Sequence, residues 1–369
     1  LVTRFEEGSE VFSDPRLSSQ RPRHDVAEED DVDPNANDSA EALPPTFNSM
    51  DAPDHGAYRR LLSGKFTPKS VQANLQPYID TIVTEHLDAI EAQGAGGEPV
   101  DIINQLALPI PSLVICELLG VPYGDRDQFH HATEVMMDTS KRRAERDTGA
   151  HWLVEYITKL VTEKRADPGS EGLLAELIRK SAEDGSILSD EDLIGIGVLL
   201  LFAGHDTTMA MIGLSALTLL THPLQRQDLV EHPEKIGAAV EELLRYLTIV
   251  QFGLGRTAKE DLEIAGQAIA KGDLVVVAMP AANRDPRVFD RPDEFDITRE
   301  HNAQVAFGGG GAHFCLGAHL ARNEIRTMMG ELATRFPDVE IVGDPSYIVA
   351  APEQTIAVSL RELPVRLAR

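Results

Sequence analysis

Over most of its length the chain repeats apolar positions at helical spacing. In "LQPYIDTIVTEHLDAIEAQ", Leu75, Ile79, Val83, Leu87 and Ile90 form one stripe among polar neighbours, as in a helix buried on one side. From Met50 to Leu244 this pattern prevails. The longest predicted helix begins near "SDEDLIGIG", where Ser189 is placed to cap it and acids fill the first turn. It continues through "VLLLFAGHDTTMAMIGLSALTLLTHP" and stops at Pro223. Strand-like stretches are few and late: "DLEIAG", "AIAKGDLVVVAMP", the short "AQVAF" and the tail "TIAVSLRELPVRL". The pattern predicts a mainly α fold with minor β on one side, in a single domain over residues 1–369.

The longest helix has the length and apolarity of a membrane span. His205, Asp206, Thr207 and Thr208 interrupt it at its middle, where charge in a bilayer is costly, and its flanks are acidic or mixed. A buried central helix is therefore predicted. Charge supports this: 34 basic against 60 acidic side chains give −26, which disfavours nucleic acid and anionic membrane surfaces. Two cysteines, Cys116 and Cys315, make no disulfide framework and suit a reducing compartment, so a cytoplasmic location is expected. The opening "LVTRFEEGSEVFSDPR" reads as the inside of a domain, and the natural N-terminus is expected upstream of it. Residues 21–46 carry eight carboxylates between Asp25 and Glu41 and hardly an apolar anchor, which predicts a surface loop.

The stretch "FGGGGAHFCLG" (307–317) concentrates the candidate chemistry. A dinucleotide loop would need a strong strand before it and no Cys–Phe in the turn. A cysteine nucleophile would need a positioned base, and His313, two residues away, is not obviously one. A zinc site would need paired ligands that the sequence lacks. A lone thiolate as the axial ligand of haem iron needs no second cysteine. Glycines let the backbone wrap the sulfur, and a helix starting just after Cys315 points its positive end at the thiolate. This reading accounts for the whole stretch.

With that, the chain resembles the soluble bacterial cytochrome P450 family of haem-thiolate monooxygenases. "FGGGGAHFCLG" is similar to the cysteine-ligand signature, with Phe307 eight residues before Cys315 where seven is commoner. "AGHDTT" (203–208) resembles the oxygen-activation motif, and "EELLRY" holds the ExxR pair Glu242 and Arg245. "MDAPDHGAYRRLLSGKFTP" resembles the propionate-binding helix, and "AANRDPRVFDRPDEFDITR" the segment leading to the cysteine loop. The motifs stand in the family's order and span nearly the whole chain.

The resemblance implies haem b (iron protoporphyrin IX), with Cys315 on iron and His55, Arg59, Arg256 and His313 around the propionates. Ala203, Gly204, Phe307, Gly308 and Gly317 would lie against the cofactor. Asp206 and Thr207 would serve proton delivery and oxygen binding, while Glu242, Arg245 and Arg299 would form a structural cluster. His205 receives no role. Implied substrates are O2 and a hydrophobic small molecule such as a terpenoid, steroid, macrolide or fatty compound. Its pocket is expected among Leu199, Leu200, Ile249, Val250, Phe252, Ile356, Ala357 and Val358. Electrons would come from NAD(P)H through a separate ferredoxin reductase and ferredoxin, the latter docking on a basic patch of Arg322, Arg326, Arg60, Lys65 and Lys69, on a monomeric enzyme. A peroxide-driven peroxygenase and a non-catalytic haem-thiolate binder or sensor are the alternatives. Residues 21–46 would gate the substrate channel.

Overall fold

The architecture was read from a computed structural model, which describes all residues except 21–45, 138–140, 186–187, 252, 301–302, 349–357 and 368–369. Thirteen α-helices are present among the described residues: α1 (Phe5–Ser13), α2 (Asp54–Ser63), α3 (Pro68–Asn74), α4 (Gln76–Gly94), α5 (Pro109–Leu119), α6 (Arg126–Met137), α7 (Arg143–Ala166), α8 (Leu173–Asp184), α9 (Asp190–Thr221), α10 (Pro223–Glu231), α11 (Ile236–Leu247), α12 (Met279–Ala282) and α13 (Ala318–Arg335). The strands are short: β1 (Leu17–Ser18), β2 (Val100–Asp101), β3 (Leu254–Ala258), β4 (Leu262–Ile264), β5 (Gln267–Ile269), β6 (Leu274–Val277), β7 (Glu340–Ile341), β8 (Ser346–Ile348), β9 (Ser359–Glu362) and β10 (Pro364–Arg366). A mainly α fold with minor β is what the periodicity predicts.

The chain divides into two compact units. One comprises residues 1–18, 62–111 and 204–369, the other 19–61 and 112–203. In the first, α13 packs on α3, α4 and α11, and Gln76 and Asn323 hydrogen-bond at 2.9 Å where α4 meets α13. Its sheets are antiparallel, ordered β1-β3-β6 and β2-β10-β7, with β4-β5 and β8-β9 as pairs. Under the first sheet lies an apolar cluster containing Val11, Phe12, Val275, Val277, Met279 and Val305. The segment "AQVAF" carries no strand; Val305 instead buries itself in this cluster.

The second unit is built on α6, α7 and α8, with α7 packed against both others. Tyr156 is its polar anchor, stacked on Trp152 and donating to Asp125 at 2.8 Å.

Helix α9 starts where its caps require. Ser189 Oγ accepts from the Asp192 N–H at 3.1 Å, and Asp192 Oδ2 accepts from the Ser189 N–H at 2.8 Å. It then runs unbroken to Thr221, so residues 203–208 do not interrupt the helical ladder. The helix is long and apolar enough to cross a membrane, yet 72% of its most apolar window is buried inside the protein, as in a core helix.

Candidate active site

Cys315 occupies a turn built by its neighbours. Gly308, Gly309, Gly310 and Gly311 all have positive φ (91, 60, 123 and 76°), a region that side-chain-bearing residues adopt at a cost. The chain thereby doubles back, and the Cys315 N–H donates to the Phe307 carbonyl at 2.9 Å. The one-residue-longer spacing thus still brings Phe307 beside Cys315. Phe307 and Phe314 meet edge to face at 6.3 Å, and α13 starts three residues after the cysteine. The Cys315 residue is exposed, whereas Cys116 is buried and its thiol is pushed up to about 12. Only Cys315 is accessible as a ligand.

Arg322, one turn along α13, is not a free cation. It pairs with Glu241 through two bonds of 2.5 and 2.9 Å, and its guanidinium lies 4.5 Å from the centre of the Phe307 ring. Arg322 thereby ties α11 to the cysteine turn. Arg326 stays exposed.

The Glu242–Arg245 pair is wholly buried. Arg245 donates to Glu242 at 2.7 and 2.8 Å, and to the carbonyls of Asn283, Pro292 and Glu294 at 2.8–3.0 Å. Arg299 joins at 3.2 Å, and the Asp296 N–H donates to the same carboxylate at 2.9 Å. Asn283, which the sequence did not flag, extends the cluster towards the cysteine. Its Oδ1 accepts from the Val305 N–H at 2.9 Å, two residues before Phe307. The network therefore holds the segment that enters the glycine run.

Around residue 203 the face of α9 changes. Ala203 is exposed, Gly204 and Thr207 are half-buried, and Asp206 and His205 are buried. Burial pushes the Asp206 carboxyl up to about 6. Leu199 is half-buried and Leu200 buried. On α2, His55 is buried and Arg59 half-buried, with Phe47 set against the His55 ring at 6.3 Å. Tyr58 on α2 donates to Asp192 at the start of α9, a contact absent from the sequence reading. Arg256 and His313 are half-buried. Ile249 and Val358 are brought together by a 3.1 Å bond from the Val358 N–H to the Ile249 carbonyl, and Val250 is half-buried. Phe252, Ile356, Ala357 and the acidic segment 21–45 lie outside the described residues.

The protein's own packing is compatible with a haem here. Gly317 has an ordinary φ of −82°, and a Cβ built on it meets nothing within 4 Å, so neither its backbone angle nor protein packing demands glycine. An accessible thiol three residues before a helix start, with open space at Gly317, suits the donor chemistry that haem-thiolate ligation uses.

Comparison with known proteins decides the family. The family model for cytochrome P450 matches residues 227–345. Vitamin D3 dihydroxylase of Streptomyces griseolus is 37% identical over 368 residues, covering 99% of this chain and 87% of the relative. The chain belongs to the cytochrome P450 family. Pentalenic acid synthase of Streptomyces avermitilis is 39% identical over 367 residues, covering 99% of this P450 and 87% of that protein. Among solved structures, cytochrome P450 MoxA from Nonomuraea recticatena matches with a TM-score of 0.88 and 37% identity, covering 100% of this chain and 89% of that one. This P450 is thus a monooxygenase of the hydroxylase kind, in a family whose cofactor is haem.

Proposed function

We propose that this P450 inserts one oxygen atom from O2 into an apolar organic compound, using haem b held by Cys315. When bound, haem supplies oxygen binding and the oxidising power for hydroxylation or epoxidation. The observation that carries the reading is the accessible Cys315 thiol on a glycine turn at the start of α13. His55, Arg59, Arg256 and His313 would neutralise the propionates, which need cationic or donor partners when buried. Ala203 and Gly204 would leave room beside α9, and Phe307, Gly308 and Gly317 would shape the thiolate side. Glu242, Arg245 and Arg299 would support the site without touching substrate. Both compact units would act as one haem-thiolate domain.

Asp206 is suited to handling protons. A carboxyl with a pKa of about 6 exchanges its proton near neutral pH, where a general acid or base is most effective. It would take protons from solvent, and the Thr207 hydroxyl would hold oxygen or water next to it. Relatives named for vitamin D3 and pentalenic acid support a terpenoid, steroid, macrolide or fatty substrate. Ile249, Val250, Val358, Leu199 and Leu200 would contribute its apolar walls. Electrons would reach a cytoplasmic monomer from NAD(P)H through ferredoxin reductase and ferredoxin.

The test is the spectrum of the reduced carbon-monoxide complex. The parent protein should show the red-shifted Soret band of thiolate ligation, Cys315→Ser should lose it, and Cys116→Ser should keep it. A Cys315→Ser protein that retains the band would refute the assignment.

A further inference from the structure

We infer that Phe12, the penultimate residue of α1, is a positioning residue for the haem edge, acting through Arg256 and the glycine run before Cys315. The inference rests on the haem-thiolate reading above. Phe12 is buried in the cluster under the β1-β3-β6 sheet. Arg256, on β3, places its guanidinium carbon 5.4 Å from the centre of the Phe12 ring. At that distance the ring face attracts the cation and restricts where a long, flexible side chain can reach.

The same residue meets the cysteine turn twice. A Cβ built on Gly309 would stand 2.8 Å from Phe12 Cδ2, and one on Gly311 would stand 2.3 Å from the Phe12 carbonyl oxygen. The glycine run therefore lies directly on the last turn of α1, ring against Gly309 and backbone against Gly311. Val305 joins the contact, 3.3 Å from the Gly309 Cβ position. One aromatic side chain thus touches a cation assigned to the propionates and the turn that presents the thiolate. Neighbouring Val11 belongs to the same apolar cluster but is not among the atoms nearest the Gly309 or Gly311 Cβ positions. That separates packing of α1 from positioning of the haem edge.

The experiment follows haem transfer from the holoenzyme to excess apomyoglobin, together with the reduced carbon-monoxide spectrum, in Phe12→Leu, Arg256→Met, the double variant and Val11→Ala. Phe12→Leu keeps apolar volume but removes the ring face, and should speed haem loss about 3–10-fold, the range expected of a partly desolvated cation–π contact. Because Phe12→Leu keeps apolar volume against the glycine run and removes only the ring face that meets Arg256, adding it to Arg256→Met should change the rate by less than about twofold. Val11→Ala should lower the melting temperature while leaving the haem-loss rate within about twofold of the parent, since it removes packing alone. Should Phe12→Leu not yield holoprotein, Phe12→Met takes its place in the cycle with the same expected changes. A haem-loss rate unaffected by Phe12→Leu, or effects of the two substitutions that multiply in full, would overturn the inference while leaving the site reading intact. A parent protein without the thiolate band would overturn the site reading itself, and the inference with it.

Discussion

Two buried glutamates on packed helices have opposite surroundings. Glu242 on α11 receives donors from Arg245, Arg299 and the Asp296 N–H. Glu324 on α13 is also buried, but among the described residues its Oε2 has no hydrogen-bond partner, and burial pushes the carboxyl up to about 8. The contrast shows that burial alone does not decide what an acid does in a protein. Supplied with donors, a buried carboxylate becomes a rigid joint. Left short of them, it keeps its proton at neutral pH and becomes a liability as pH rises. Burial raises Asp206 as well, but only to about 6, so it has largely given up its proton by pH ~7.

The strongest way to break this comparison is to remove Arg245. Arg245→Ala would leave Glu242 buried without its two Arg245 bonds, at an expected cost of about 3–5 kcal/mol. Denaturant unfolding measures this, and a loss under ~1 kcal/mol would mean that the cluster does not hold the fold. Glu324→Gln should act in the other direction. The carboxyl binds its proton more tightly folded (about 8) than unfolded (4.5), so the wild-type protein loses stability as pH rises through that window. The variant should match the parent at pH ~4 and exceed it by a few kcal/mol at pH ~9, on linkage of the two protonation states. Melting curves that stay parallel across that range would show that Glu324 has a partner when ionised. The smallest stability effect is expected at Asp206, whose pKa rises from 3.8 to about 6. Asp206→Asn should gain about 3 kcal/mol well above pH ~6 by linkage, while slowing product formation about 100-fold or more, the lower range for lost general acid–base help. Stability gained with turnover unchanged would separate Asp206 from proton delivery.

Much of this was legible in the residues. The stripe of α4, the caps of α9, the helix after Gly317 and the strands within 262–277 follow from period and punctuation, which are local. The motif residues of the cysteine turn and of the Glu242 cluster were legible through the resemblance to the P450 family. What escaped was non-local. Helix α1 carries a glycine and three acids, so its stripe is thin, and it is held by partners far along the chain: Phe5 N–H to Asp285 at 3.0 Å and Phe12 against Arg256. Asp285, which Arg287 keeps well below the usual carboxylate range, looked like a plain loop acid. Asn283 matters through its two-sided amide, which no spacing reveals. Glu324 did leave a trace: it lies between Leu320 and Met328 on the buried stripe of α13, an acid at an apolar position.

The partners of the first helix also set an order of events in time. Residues 1–18 pair with Val277, Ala258 and Asp285, and the glycine run rests on Phe12. None of these partners exists until more than two hundred further residues have followed this segment. At about 5–20 residues per second, the ribosome leaves this segment waiting roughly 10–60 s before anything can dock on it. The thiolate turn is made later still, so on a growing chain helix α1 and the haem edge are completed together, long after α1 itself has been made.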